Sequence, residues 1–275
     1  MSAPVFPSVF VSHGSPTLIL EPDSPGRAFL AGLGQRLGRP TAILAVSAHW
    51  MTRRPLVSTA ERPETIHDFY GFPDALYRMT YPAPGAPALA ERAGDLLVKA
   101  GFPAGTDPDQ GLDHGAWVPL RLMYPDADIP VAQVSILPGQ GGAVHLALGR
   151  ALAPLRREGV LILGSGGAVH NLRQFRFGDG ALPPWAADFA GWLDRAAVSG
   201  DTGAVAQWEQ APAASMAHPS DDHFLPFAVA MGAGIGDGGE GPRGERLYGG
   251  FEHGSLGMHA YAFHTAGEAV GTVGA

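Results

Sequence analysis

Four short apolar runs constrain this chain more than any other feature of it. They are Ser8–Ser12 (SVFVS), Ala42–Ser47 (AILAVS), residues 131–136 (VAQVSI) and residues 160–163 (VLIL). All four are rich in β-branched residues and largely continuous rather than strictly alternating. That pattern belongs to strands covered on both faces, as in a mostly parallel sheet. Helical patterns lie between and after them, over residues 86–100, 143–156, 184–198 and 225–231. Strands alternating with helices predict an α/β fold with a central, mostly parallel β-sheet flanked by helices. One catalytic domain over residues 1–275 is expected. The chain has 39 glycines and 25 prolines, which at 45% hydrophobic content points to long shaped loops rather than low complexity. Those loops are expected at the carboxyl ends of the strands. Residues 51–85, 102–116 and 232–244 read as loops.

Composition removes several function classes. The formal net charge is −8, the opposite of the basic footprint that nucleic-acid binding requires. There is no cysteine, so disulfides, zinc ribbons, iron–sulfur clusters and thiol nucleophiles are excluded together. No apolar run approaches the roughly 18–20 residues of a membrane span, and the first ten residues lack a basic signal-peptide region. A cytoplasmic protein with no membrane partner is expected; oligomeric state is left open.

Eleven histidines in a cysteine-free chain are the first chemical clue. His13 directly follows the first strand run (SVFVSHGSP) and His49 closely follows the second (AILAVSAHW). His170 follows the fourth through a glycine-rich turn (VLILGSGGAVHNL). Ligands of an open parallel sheet gather at the carboxyl ends of its strands, so three imidazoles at such ends can converge on one crevice. A single histidine there is more often structural. Three at equivalent positions favour a metal site, imidazole being the commonest metal ligand near neutral pH. Further candidates are His218 and His223, which flank Asp221 and Asp222 in AHPSDDHFLPF, and His114 in GLDHGAWVPL. His145, His253, His259 and His264 read as surface or core residues.

Other chemistries are weaker. GSGG at residues 164–167 lacks both G-x-G-x-x-G and G-K-[ST], and no G-x-S-x-G elbow or H-E-x-x-H occurs. His67, Phe69, Tyr70, Tyr77 and Tyr81 make an aromatic loop suited to walling a flat ligand or, equally, to packing itself on the domain. Arg53, Arg78 and Arg173 lie near the motif segments and are candidates for binding a substrate carboxylate, although exposure is the commoner fate of arginine.

Six motifs together resemble the class III, LigB-type extradiol ring-cleavage dioxygenases, and within them the branch that contains DOPA 4,5-dioxygenases. They are PSVFVSHGSPT, AILAVSAHW, HDFYGFPDALYRMTYPAPG, GLDHGAWVPL, GSGGAVHNL and AHPSDDHFLPF, in order from residue 7 to 227. The resemblance implies a single non-haem divalent metal, with Fe(II) for catalysis and Zn(II) as an alternative occupant of isolated protein. It also implies a catechol substrate, DOPA-like ones included, and dioxygen. Carried residue by residue, it implies His13, His49 and His223 as metal ligands. His170 is implied as the catalytic acid/base that also touches the metal, and His114 as a second catalytic histidine of the pocket. The third ligand of the wider class is usually a carboxylate, so Asp222 or Asp221 stands as the alternative to His223.

The residue types suit such chemistry. A three-nitrogen or two-His-one-carboxylate face leaves coordination positions open, and an unligated histidine can accept the proton a catechol loses on chelation. A zinc-dependent hydrolase using the same histidines is the alternative reading.

Overall fold

Residues 5–176 and 181–267 are described in the computed structural model. Ten strands occur among them: β1 (Ser8–Ser12), β2 (Ala42–Ser47), β3 (Leu56–Ser58), β4 (Gly105–Asp107), β5 (Val131–Gln133), β6 (Val160–Gly166), β7 (Arg243–Tyr248), β8 (Phe251–Glu252), β9 (Leu256–Gly257) and β10 (Ala260–His264). Six of them form the central sheet in the order β5-β2-β6-β1-β10-β7. The first four run parallel, and β10 and β7 extend the sheet antiparallel. The fold is therefore α/β with a mostly parallel sheet, as the apolar runs predict.

Alternate residues of each strand pack on opposite faces. Val9, Val11, Ile43, Ala45, Leu161 and Leu163 belong to a core shared with Leu30, Leu33, Trp117 and Leu120, from the helices Pro25–Leu37 and His114–Met123. Phe10 packs on the other side with Phe227 and Phe189, and Leu44, Val46 and Ile162 with Leu225 and Val229. Those partners come from the helices Leu225–Ala233 and Pro184–Ser199. Burial on both faces explains why these runs carry so little polarity.

Register positions the site. Ser47 of β2 lies opposite Ser165 of β6, and Ser12 of β1 opposite Gly166. Three carboxyl ends therefore stop at one level, and the residues that follow them enter the same crevice.

Several expectations need correction. The run over residues 131–136 is a strand only to Gln133; Val134 and Ile136 form isolated bridges with Val57 and Met51. Residues 51–85 are not structureless: they hold β3 and the short helix Asp74–Tyr77. Residues 102–116 contain β4 and the start of the His114–Met123 helix, hidden in the sequence by Gly115 and Pro119. The helix Leu225–Ala233 runs on into the expected 232–244 loop, and β7 begins before that loop was expected to end.

Candidate active site

The crevice at the strand ends holds a cavity of about 450 Å³ lined by His13, His49, His114, His170 and His223. His13 follows β1 directly, and its backbone N–H donates to the Gly166 carbonyl. His49 lies two residues beyond β2, its own N–H donating to Ser47 Oγ at 3.2 Å. His223 arrives from the far side of the sheet. Its carbonyl accepts the Gly167 N–H, and a Cβ on Gly166 would stand 2.2 Å from that same oxygen. The glycines of GSGG therefore let the His223 segment approach the sheet; the turn is a packing device.

The three rings form one cluster. His13, His49 and His223 each offer a ring nitrogen, all within 4.8 Å of one another. The second-nitrogen contacts reveal which lone pairs face inward. Ser165 Oγ donates to the Gly115 carbonyl, so toward His13 Nδ1, 3.1 Å away, it can only accept. His13 is then protonated at Nδ1, leaving a bare Nε2. The Asp222 carboxylate accepts from Nδ1 of His223, leaving Nε2 there too. Nε2 of His49 sits 3.1 Å from Nε2 of His13, while its Nδ1 faces the Asp68 carboxylate at 3.6 Å. Two bared ring nitrogens, with the third ring turned toward them, could hold a metal ion; the His13 and His223 rings are each oriented by an outer hydrogen bond.

Helix chemistry supports this arrangement. Pro119 has no N–H to give the carbonyl four residues back, which is that of Gly115, the acceptor used by Ser165. Gly115 itself lets the helix close on β2, since a Cβ there would lie 2.4 Å from Ser47 Oγ and 2.9 Å from His49 Cδ2. Asp113 caps this helix, accepting from the Ala116 N–H and from Ser47 Oγ. Burial pushes the Asp113 carboxyl up to about 6.

Electrostatics keep the rings neutral. Burial, then the neighbouring imidazoles, hold His13 and His223 well below the usual 6.5. Burial and His114 lower His49 to about 3 against the opposing pull of Asp68. His170 is lowered to about 4, again by burial first. Neutral imidazoles are what a metal requires.

The remaining candidates take distinct places. His170 lies outside the triad and stacks on His223. His114 donates Nδ1–H to Asp68 Oδ2 at 2.8 Å, and its backbone N–H donates to Oδ1 at 2.8 Å. Burial alone would raise Asp68, but these bonds and His49 outweigh it and hold the carboxyl below its ordinary value. Asp222 reaches the site through the His223 ring, and Asp221 turns away to accept the Gly139 N–H at 2.7 Å. Of the aromatic loop, Phe69 lines the cavity. Tyr70 is 92% exposed, Tyr81 is buried with its hydroxyl on the Tyr124 carbonyl, and His67 is bonded to the Met79 carbonyl. Arg53, Arg78 and Arg173 are absent from the lining. His218 is buried against the Ala168 carbonyl, and His145 bridges Leu137 N–H and the Gly141 carbonyl.

Asp68, Ser165 and Phe72 were not singled out from sequence. Asp68 sits one residue from His67 in a loop that offers no period to flag it. A larger depression of about 760 Å³ lies beside Glu21, Glu252 and His253. Its carboxylates are already engaged by Thr17 and Ser24.

Residues 8–263 match the family described as the catalytic LigB subunit of aromatic ring-opening dioxygenase. The chain belongs to the LigB family. It is 44% identical over 258 residues to a 4,5-DOPA dioxygenase extradiol of Beta vulgaris, covering 92% of this chain and 95% of that protein. It is 42% identical over 247 residues to a protein of the same name from Escherichia coli strain K12, covering 85% and 87%. The crystal structure of an uncharacterized Escherichia coli K12 protein superposes with a TM-score of 0.77 at 37% identity, covering 94% of this chain and 99% of that one. LigB membership makes the chain an extradiol ring-opening dioxygenase with an aromatic substrate and dioxygen, and the zinc-dependent hydrolase is not favoured. No helix among the described residues is long and apolar enough to cross a membrane.

Proposed function

We propose that His13, His49 and His223 hold one non-haem divalent metal, that Fe(II) is the working ion, and that the substrate is a catechol cleaved beside its diol. The observation that carries this reading is the convergence of three ring nitrogens within 4.8 Å, two of them bared by the outward bonds to Ser165 and Asp222. When bound, Fe(II) supplies a redox-active centre with open positions that hold both reactants side by side.

The chain's own groups manage protons and position. His170, unprotonated at neutral pH because burial lowers it to about 4, takes a proton from a catechol hydroxyl and returns it during cleavage. His114 has Nδ1 tied to Asp68, so Nε2 is the nitrogen left for substrate or oxygen. The names of the relatives place DOPA among the catechols to test.

Zinc ranks above iron at nitrogen ligands and has no redox change of its own, so it competes with activation. The test is anaerobic reconstitution of stripped protein with Fe(II) or Zn(II), followed by oxygen uptake with a catechol panel. Uptake by the Fe(II) form alone, with a ring-opened product, is expected. Equal cleavage by iron-free zinc protein overturns the iron assignment, and no uptake with any catechol overturns the reaction.

A further inference from the structure

His170 lies in neither a helix nor a strand, yet its ring is stacked on that of His223. A ladder of hydrogen bonds between two segments, residues 167–171 and 216–223, holds it there. The Gly167 N–H donates to the His223 carbonyl at 3.0 Å and the His170 N–H to the Ala217 carbonyl at 2.9 Å. Asn171 Nδ2 donates to the Met216 carbonyl at 2.6 Å. The remaining rung comes from the opposite segment: His218 Nε2 lies 3.2 Å from the Ala168 carbonyl. A carbonyl can only accept, so the His218 proton is on Nε2. The Ala168 N–H is held by Ser12 Oγ at 3.0 Å. His218 fixes the carbonyl of the same residue, and with it the peptide plane that leads toward His170.

The His218 ring sits in an apolar box. Phe189, Trp208 and Phe224 meet it edge to face at centroid distances of 5.1, 5.7 and 5.7 Å, and the residue is 3% exposed. Its Nδ1 is buried with no hydrogen-bond partner among the described residues. An unpaired buried acceptor is costly, and a hydrocarbon side chain would suit the box better. What the imidazole adds over a hydrocarbon is the Nε2 bond. Burial lowers the ring to about 3, so near neutral pH it is uncharged and has one proton to give.

We propose that His218 is a positioning residue of the reaction, whose Nε2–H bond to the Ala168 carbonyl keeps the His170 ring over His223. The inference rests on the reading of His170 as the acid/base of catechol cleavage, and it adds a residue to that reading. His223 has holds of its own, through Asp222 and the Gly167 N–H. Loss of the rung should therefore fall on His170 and spare the metal.

His218→Leu removes the rung and fills the box; His218→Gln keeps a donor near the place of Nε2. Crystal structures of the Zn(II)-loaded proteins show the stack without reference to the reaction. In the Leu variant the His170 ring should shift by about 1 Å, a displacement that can cost an oriented group about a hundredfold. In the Gln variant it should stay within about 0.5 Å of its place. With the Fe(II) forms, kcat should fall at least about tenfold in the Leu variant while metal content and KM hold, and Gln should restore most of the rate. Added to His170→Ala, His218→Leu should cost nothing further, because the two residues act as one unit. An unmoved stack in the Leu variant, a Gln variant as slow as the Leu one, or additive losses in the double variant overturns the proposal. So does loss of the metal together with the rate, which would put the brace at His223. If the parent opens no catechol, the reading of the reaction fails, and the structures still decide the rung. Should the Leu variant not fold, His218→Met, equally without a donor and more adaptable in shape, gives the same measurements.

Discussion

His170 lies flat on His223, ring centroids 3.5 Å apart and planes 5° from parallel. The stack puts an imidazole from outside the triad directly beside one of the three converging rings, while Asp222 accepts the Nδ1 proton of His223. Proximity without membership in the triad is the geometry expected of an acid/base. His170→Ala should retain most of the bound metal and lose at least about a hundredfold in kcat. Metal content by elemental analysis, alongside oxygen uptake, checks it; loss of the metal together with the rate would make His170 a ligand.

Asp222 and His223 should separate in their effects. His223→Ala removes a ring nitrogen and should abolish stoichiometric metal binding. Asp222→Asn leaves the ring but weakens its outer anchor, for which a loss of about 10–100-fold in metal affinity is the usual scale. Competition with a chromogenic chelator measures both. Full affinity in His223→Ala would show that the third ligand lies elsewhere.

Asp68 anchors His114 through both its backbone and its ring. In Asp68→Asn the amide cannot accept at every position the carboxylate does, and His114 Nδ1 loses its charged partner. A fall of about tenfold or more in kcat is expected, with the metal retained. A kcat within twofold of the parent would remove His114 orientation from the mechanism.

Much of this was readable in advance, for physical reasons that differ from residue to residue. His13, His49 and His170 each follow a strand whose unbroken apolar run marks it as central, so their positions at the strand ends were legible. Their meeting depends on register, and Ser47 opposite Ser165 is a three-dimensional fact with no local signature. The His114–Met123 helix was half hidden because Gly115 and Pro119 are helix breakers by propensity, kept here for close approach to Ser47 and for a free carbonyl. The antiparallel strands β7 and β10 went unread because β7 is polar at every second position or more and glycines dilute the stretch that joins it to β10.

Gly166 should prove as sensitive as any ring. Its Cβ in Gly166→Ala would meet the His223 carbonyl, a backbone atom that cannot rotate aside. Overpacking of this kind costs roughly 1–3 kcal/mol, read from the urea midpoint. Metal affinity should fall as well, because the displaced backbone carries a triad ring. An unchanged midpoint and affinity would show that the segment has slack.

His218 predicts an acid limb in stability. Burial lowers it to about 3, whereas in the unfolded chain it titrates near 6.5. The unfolded state therefore binds the extra proton between those values, and stability contributed above pH 6.5 is lost as pH falls toward 3. The slope is at most about 1.4 kcal/mol per pH unit for one such group. Urea unfolding of metal-free protein at pH 7, 6 and 5 should show it, and His218→Leu should flatten the decline by about that amount. Parallel slopes in the two proteins would mean that His218 protonates within the fold.

Pro119 carries a conflict between robustness and use. By the ordinary rules of helix design it is a defect, and Pro119→Ala would be the first repair suggested for a stiffer scaffold. Yet the restored N–H would share the Gly115 carbonyl with the Ser165 hydroxyl, and any weakening of that hydroxyl's bond would let it turn its proton toward His13 Nδ1 and favour the other imidazole tautomer. The flaw in the helix thus leaves the Gly115 carbonyl to one donor two elements away, so selection for thermal resilience alone would tend to erase it and trade the orientation of His13 for a sturdier scaffold.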